Sequence, residues 1–206
     1  MSSAETYSGK RFLDLLLVLG SCPIWVPILA FFAILVRAST GAPVLFRQSR
    51  PGFQGTAFTV LKFRTMTLAS ATPSDLPEDE LRLTRMGRLL RQTSIDELPE
   101  LINVLHGDMS LVGPRPLLMQ YLDRYTPEQA RRHEVKPGIT GWAQVNGRNA
   151  LTWQEKFEFD VWYVDNVSLW LDLKILGMTV WKVLKGEGLS APGHATMPEF
   201  MGNPDE

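Results

Sequence analysis

Residues 12–36 read FLDLLLVLGSCPIWVPILAFFAILV, and the way this run folds decides the architecture of the whole chain. It holds one charge, Asp14, and two prolines, Pro23 and Pro27. An apolar stretch of about 20 residues is by default a straight transmembrane helix. A secretory signal would have a shorter apolar region and a small-residue cleavage site, whereas Arg37 follows this run directly. An interior proline removes a backbone hydrogen bond and clashes with the preceding turn, which argues against a straight helix. Pro23 leaves arms of 11 residues (12–22) and 13 residues (24–36). At 1.5 Å per residue each arm reaches only ~16–20 Å, short of a ~30 Å hydrocarbon core. Lys10 and Arg11 precede the run, and Arg37, Arg47 and Arg50 follow it, so the positive-inside rule wants both ends on the cytoplasmic face. A helix–break–helix hairpin that enters and leaves by one leaflet satisfies both observations, and a kinked span satisfies the first. Carbonyls freed at the break can be met by Ser21, by local 3₁₀ geometry or by the soluble part.

The rest of the 206 residues is enough for one domain with a sizeable core. We find no linker and no repeat, and divide the chain into a membrane helix over about 12–36, a globular part over about 37–185 and a tail over about 186–206. A net charge of −1 and a charged fraction of 21% give no basic surface for nucleic acid, so no such partner is expected. The single cysteine, Cys22, can form neither an internal disulfide nor a zinc cluster.

The pattern predicts an α+β fold, mainly helical. Residues 43–48 and 56–66 read as two short strands joined by a Pro/Gly turn at 50–55. Lys62 and Arg64, two apart, would share one strand face. Residues 67–79 read as a mobile loop. Helices are expected over 81–91, 95–106 (ended by Gly107) and 117–133 (interrupted at Pro127), with a short strand at 108–112. Residues 137–145 should be extended, followed by an Asn146-Gly147 turn. Thr152 and Glu155 form a capping box that opens a helix to about 166, and another runs from Ser168 to about 185. The tryptophans of these last helices, Trp153, Trp162, Trp170 and Trp181, suit amphipathic helices at a membrane interface.

Three loops carry polar groups suited to chemistry. In Ser94-Ile95-Asp96-Glu97-Leu98-Pro99, Ser94 and Glu97 fit a capping box. The helix N-terminus would keep Asp96 ionised and nucleophilic and leave Glu97 for an oxygen-seeking cation such as Mg²⁺; acids in a first turn are also ordinary caps. Gly113-Pro114-Arg115-Pro116 makes a stiff corner whose arginine fork suits phosphate, or a structural turn. Gln144-Val145-Asn146-Gly147-Arg148-Asn149 offers amides and a guanidinium on a tight turn, which is also a common hairpin signal. A carboxylate nucleophile, a metal ligand and several cations beside a membrane fit phosphoryl chemistry on a lipid better than a passive anchor.

These motifs together resemble the bacterial sugar transferases known as small monotopic phosphoglycosyl transferases. The likeness runs from Lys10-Arg11-Phe12-Leu13-Asp14 through KFRTM (62–66), SIDELPELINVLHGDMSLVGPRPLL (94–118) and KPGITGWAQVNGRN (136–149) to WQEKFEFDVWYV (153–164). Within that family it looks most like the enzymes that move N,N′-diacetylbacillosamine-1-phosphate from a UDP-sugar to undecaprenyl phosphate, a first membrane step of glycoconjugate assembly. The resemblance implies that Asp96 attacks the β-phosphorus, expelling UMP and forming an aspartyl phosphosugar that the lipid phosphate then takes. It implies Glu97 as a Mg²⁺ ligand, Arg91 and Arg115 as phosphate contacts, and Lys62, Arg64 and Arg148 as weaker substrate contacts. It also implies a re-entrant hairpin, broken in relatives at a Ser-Pro pair that is Cys22-Pro23 here, in the bacterial inner membrane with the catalytic part on the cytoplasmic face, and leaves room for a homo-oligomer. A ternary-complex transferase without a covalent intermediate and a non-enzymatic membrane scaffold are the competing readings.

Overall fold

A computed structural model describes residues 7–67, 82–147, 151–185 and 199–202. Residues 68–79 of the loop expected over 67–79, and the turn residues Arg148 and Asn149, lie outside the described residues. The apolar run forms two helices, α1 (Lys10–Gly20) and α2 (Cys22–Thr40), that meet at Ser21. The Ser21 hydroxyl donates to the carbonyls of Leu17 and Val18 at 2.6 and 3.2 Å, meeting backbone groups next to the break. The second arm is longer than expected. Pro23 sits in the first turn of α2, where its missing N–H costs nothing, and the helix continues through Pro27 for 19 residues. At 1.5 Å per residue that is ~28 Å. Among the described residues α2 is the one helix long and apolar enough to cross a membrane.

Both helices rest one face on the remainder of the chain. Val18 and Trp25 pack with Val104 and Met109, and Val36 packs with Phe63 and Leu90. Phe12, Leu16, Ile24, Phe31 and Ile34 are each more than half exposed. The run's one charge is turned inward, where Asp14 accepts from the Ser110 hydroxyl at 3.1 Å and the Leu111 N–H at 3.0 Å. Lys10 is buried and pairs with Asp172 at 2.5 Å, and Arg11 donates to the carbonyls of Val104 and Leu105.

The expected hairpin forms as antiparallel strands β1 (Leu45–Pro51) and β2 (Ala57–Phe63), with Phe46 opposite Lys62. Next come α3 (Arg85–Thr93) and α4 (Glu100–His106), the latter ended by Gly107 in the left-handed region. β3 (Ser110–Val112) pairs in parallel with β4 (Gly138–Thr140). A Cβ on Gly138 would stand 2.1 Å from the Gly113 nitrogen, and one on Gly141 2.2 Å from the Gly113 oxygen. Glycine at these positions is what lets the two segments abut.

The helix expected over 81–91 runs from Arg85 to Thr93, and that expected over 95–106 is divided into a 3₁₀ turn and α4. Two further regions differ from the sequence pattern. Residues 117–133 do not make a continuous helix: 3₁₀ turns at Met119–Arg124 and Arg131–His133 flank the single turn α5 (Pro127–Ala130). The extended segment expected over 137–145 ends at Thr140 and gives way to α6 (Trp142–Asn146), because Gly141 must turn against Gly113. The Thr152–Glu155 capping box is formed and opens α7 (Trp153–Asn166). α8 (Leu169–Lys185) buries Leu171 and Ile175 against Val112, Val135 and Tyr163. Its other face presents Trp170, Trp181 and Leu184 to the outside, and the helix also carries Lys174, Lys182 and Lys185.

Candidate active site

Asp96 and Glu97 stand on a 3₁₀ turn, Ile95–Glu97, between α3 and α4. The capping box expected from Ser94 and Glu97 is not formed. Ser94 adopts φ 56°, ψ 17°, a left-handed cap that ends α3, and its side chain makes no cap to the turn that follows. Pro99 takes the N-cap place of α4, so the two acids precede that helix instead of occupying its first turn. Asn103, 2% exposed on α4, fixes the assembly to β2. Its side-chain oxygen accepts the Leu61 N–H at 3.0 Å and its amide donates to the Thr59 carbonyl at 2.7 Å, which sets Lys62 over the turn.

Glu97 is clamped. Lys62 donates to its Oε1 at 2.7 Å, and Arg115 forks onto both oxygens, with the Nη1–Oε2 leg at 3.2 Å. Burial alone would raise this carboxyl; the Arg115 and Lys62 charges outweigh it and hold Glu97 well below the usual carboxylate range. Lys62 also reaches Glu100 at 3.1 Å. Glu100, 2% exposed, is pushed up to about 7 by burial and by the Glu97 charge. Asp96 differs from both: among the described residues no donor reaches its carboxylate, and it is half-buried. Burial first and Glu97 second push it up to about 6, against the pull of Lys62, Arg115 and Arg91. The sequence argument expected a helix terminus to hold Asp96 low. The direction is reversed because that terminus begins beyond it. Above about pH 6 the group is nevertheless an ionised, unpaired carboxylate.

The other candidates divide. Lys62 and Arg115 converge on Glu97, and Arg91 is held at the rim by its Nε–H bond to the Thr65 hydroxyl at 3.1 Å. Arg64 does not belong to this group. β2 ends at Phe63, so the strand-face argument lapses, and the Arg64 guanidinium is spent on the Thr40 and Ala42 carbonyls that close α2. Arg148 lies outside the described residues. The sequence reading missed Glu100 and Arg132. Glu100 was legible as a second acid three residues after Glu97. Arg132, 2% exposed, is paired with Asp160 at 2.7 Å and donates to the Arg115 carbonyl at 2.8 Å, and nothing in its local sequence marked it.

A Mg²⁺ ion needs hard oxygen ligands, often one or two carboxylates completed by phosphates and water. Glu97 fits in kind: among the described residues its Oε2 accepts only the long bond from Arg115, which leaves acceptor capacity on that oxygen. No group of three or more His, Cys, Asp or Glu side chains that could hold a metal occurs among the described residues, so the remaining ligands would come from a substrate or water. Two open grooves, of about 640 and 620 Å³, flank the β-hairpin, and neither is lined by Asp96 or Glu97. The turn that carries the carboxylates is held against α2, whose Val36 packs with Ile95 and Leu90.

Residues 5–186 match the family described as bacterial sugar transferase. The chain is 57% identical to the uncharacterized sugar transferase EpsL of Bacillus subtilis over 95% of its own length and 97% of that protein's. It is 41% identical to a UDP-glucose:undecaprenyl-phosphate glucose-1-phosphate transferase of Caulobacter vibrioides, over 83% of the chain and 68% of the relative. It is 39% identical to a UDP-N-acetylgalactosamine-undecaprenyl-phosphate N-acetylgalactosaminephosphotransferase of Aeromonas hydrophila, over 87% of the chain and 44% of that longer protein.

Proposed function

Since the chain belongs to the bacterial sugar transferase family, we propose that it transfers a sugar-1-phosphate from a UDP-sugar to undecaprenyl phosphate through a covalent intermediate on Asp96. The observation that carries the reading is the contrast between the two adjacent acids: Glu97 held by Lys62 and Arg115, Asp96 ionisable near neutrality and, among the described residues, without a donor. A nucleophile must be deprotonated yet unpaired, and its basicity rises with its pKa.

The steps follow from that geometry. An Asp96 oxygen attacks the β-phosphorus, the bond from that phosphorus to the bridging oxygen breaks, and UMP leaves with the electron pair. An oxygen of undecaprenyl phosphate then attacks the same phosphorus, and Asp96 departs as a carboxylate, leaving the lipid diphosphate sugar. Arg115 and Arg91 contact the phosphates, and Lys62 keeps Glu97 ionised and aimed. Glu97 would hold Mg²⁺, which would supply positive charge to offset that of the diphosphate. Direct transfer in a ternary complex would leave Asp96 with no bond to form.

The apolar helices account for the lipid. Both ends of the α1–α2 pair are tied to one globular body, Lys10 to Asp172 at one end and Thr40 to Arg64 at the other. That supports a re-entrant hairpin, membrane association by one leaflet and a cytoplasmic site, with the exposed Trp170 and Trp181 at the interface. Ser21, next to Cys22, bonds the Leu17 and Val18 carbonyls at the break. The relatives differ in the sugar they are named for, glucose in one and N-acetylgalactosamine in another, and our reading favours a UDP-N-acetylated amino sugar, such as the diacetylated bacillosamine.

The test is UMP release from a panel of UDP-sugars by the protein in lipid, with Mg²⁺ and undecaprenyl phosphate, followed by mass spectrometry of Asp96 with donor alone. A phosphosugar on Asp96 supports the covalent route. Sustained turnover with no adduct and no UMP burst before acceptor is added would sink it. Turnover that survives Asp96→Asn would remove Asp96 from the chemistry altogether.

A further inference from the structure

The family match stops at residue 186, and the sequence pattern reads everything beyond as a loosely held tail. The structure shows a second contact after that point. Phe200 is 4% exposed, sunk among Tyr121, Tyr125, Trp153 and Phe157 with ring centroids 5.0–6.0 Å away. Its N–H donates to the Tyr121 hydroxyl at 3.2 Å and its carbonyl accepts from Arg124. Arg124 and Gln120 also hold the Glu199 carboxylate, at 2.8 and 2.5 Å. Burying one aromatic ring with both of its backbone polar groups paired is what a fixed attachment requires.

What lies behind the ring gives the attachment a purpose. Tyr125 and Phe157, both touching Phe200, form the two faces against which the Arg132 guanidinium rests, 5.8 and 5.7 Å from their centroids. Arg132 donates through Nη2 to the Arg115 carbonyl at 2.8 Å, and Arg115 in turn forks onto Glu97. A continuous stack therefore leads from the C-terminal segment to the turn that carries Asp96. Arg115 is the most exposed member of the Glu97 cluster, its side chain 41% accessible, so its aim depends on the fixity of its own backbone.

We propose that Glu199 and Phe200 are a built-in strap whose positioning residue, Phe200, fixes Arg115 over Glu97 by closing the aromatic cage around Arg132. The inference rests on the proposed reading of the Asp96–Glu97 site and adds a residue to it from outside the family match.

The experiment uses the full chain in lipid. UMP turnover is measured for the wild type, Phe200→Ala, Arg132→Lys and the double variant, at a temperature where near-ultraviolet circular dichroism shows each to be folded. Arg132→Lys keeps the charge and removes the Nη2 bond to the Arg115 carbonyl. The strap predicts a fall in kcat of about tenfold in Phe200→Ala with acceptor KM held within about twofold. It predicts little further loss when Phe200→Ala is added to Arg132→Lys, since residues acting through one network are not additive. Phe200→Met, which refills the volume, should recover most of the rate. Equal fold-losses in both backgrounds, or a loss that only follows the folded fraction, would overturn the strap. Should Arg132→Lys not fold, Tyr125→Leu replaces it in the same cycle and is read the same way. An Asp96→Asn control separates the two levels: turnover that survives it removes the site reading, while the Phe200 cycle is still read on that turnover.

Discussion

At the root of the hairpin, Lys10 meets Asp172 at 2.5 Å, and the hydroxyls of Tyr163 and Tyr7 donate to the same carboxylate at 2.7 and 2.8 Å. One cation faces one anion and every partner is buried or half-buried. Around Lys62, some way along the same chain, Glu97 and Glu100 share one ammonium, and among the described residues Arg115 gives all its side-chain bonds to Glu97 and Asp96 is left without a donor. The first cluster closes on itself. The second cannot satisfy all its acids at once, and two of them, Asp96 and Glu100, are driven up toward neutral pH. Groups of the same kinds thus build a lock in one place and a reactive surface in the other. The difference lies in how many carboxylates each cation must serve.

The largest effect expected from disturbing this arrangement is at Asp96. Asp96→Asn should lower UMP release by about 10⁴-fold or more, the scale seen when a nucleophile is removed. The same change should stabilise the fold. Asp96 titrates at about 6 folded against 3.8 unfolded, so its contribution is complete below pH 3.8 and lost as pH rises through 6. At pH 7.5 its charge is a cost, and removing it should return about 1–3 kcal/mol, a rise in Tm of several degrees. A variant that is inactive and also less stable at pH 7.5 would contradict the account of an unpaired acid.

The lock should answer in the opposite way. Lys10→Met leaves Asp172 buried without its cation, which costs about 3–5 kcal/mol. Lys10→Met with Asp172→Leu should regain most of that, because a well-packed apolar pair of similar volume commonly matches a buried ion pair. Turnover per folded molecule should be unchanged in both. Thermal unfolding in lipid and UMP release measured side by side decide it: activity lost without stability lost would move Lys10 into the working part of the molecule.

The sequence made these two regions unequally legible. Lys10 was visible as a flanking charge, but its partner Asp172 lies 162 residues away in the chain and has no local signature. Asp96 and Glu97 were legible as adjacent acids, yet their electrostatics were misjudged. Ser94 in a left-handed cap and Pro99 at the helix entry place them before α4, so the dipole argument lost to burial. Strands and capped helices came through where one element dictates its own geometry, as in the Thr152–Glu155 box. The pattern failed where a distant backbone contact decides, as at Gly141 against Gly113, and where a remote ring finds a hollow, as at Phe200.

The pH profile is the next most sensitive probe. If ionised Asp96 is the nucleophile, the rate of UMP release from enzyme and donor should rise about tenfold per pH unit below about pH 6 and flatten above it, as deprotonation completes. A limb centred near the ordinary aspartate value would show that burial and Glu97 do not raise the group in the working enzyme.

Glu100 gives the finest test, because it belongs to the crowded cluster without facing the proposed phosphorus. Its folded value of about 7 stands above the unfolded 4.5. The stability it supports is therefore complete below pH 4.5 and lost as pH rises through 7. Glu100→Gln should flatten the dependence of Tm on pH between about 5 and 7, and at pH 7.5 it should leave turnover within about threefold of wild type, since Lys62 then serves Glu97 alone. A slope between pH 6 and 7, above the Asp96 transition, that is as steep in Glu100→Gln as in wild type would mean that Lys62 already satisfies both acids. The cluster at Asp96 would then be as closed as the one at Lys10, and the contrast between them would rest on Asp96 alone.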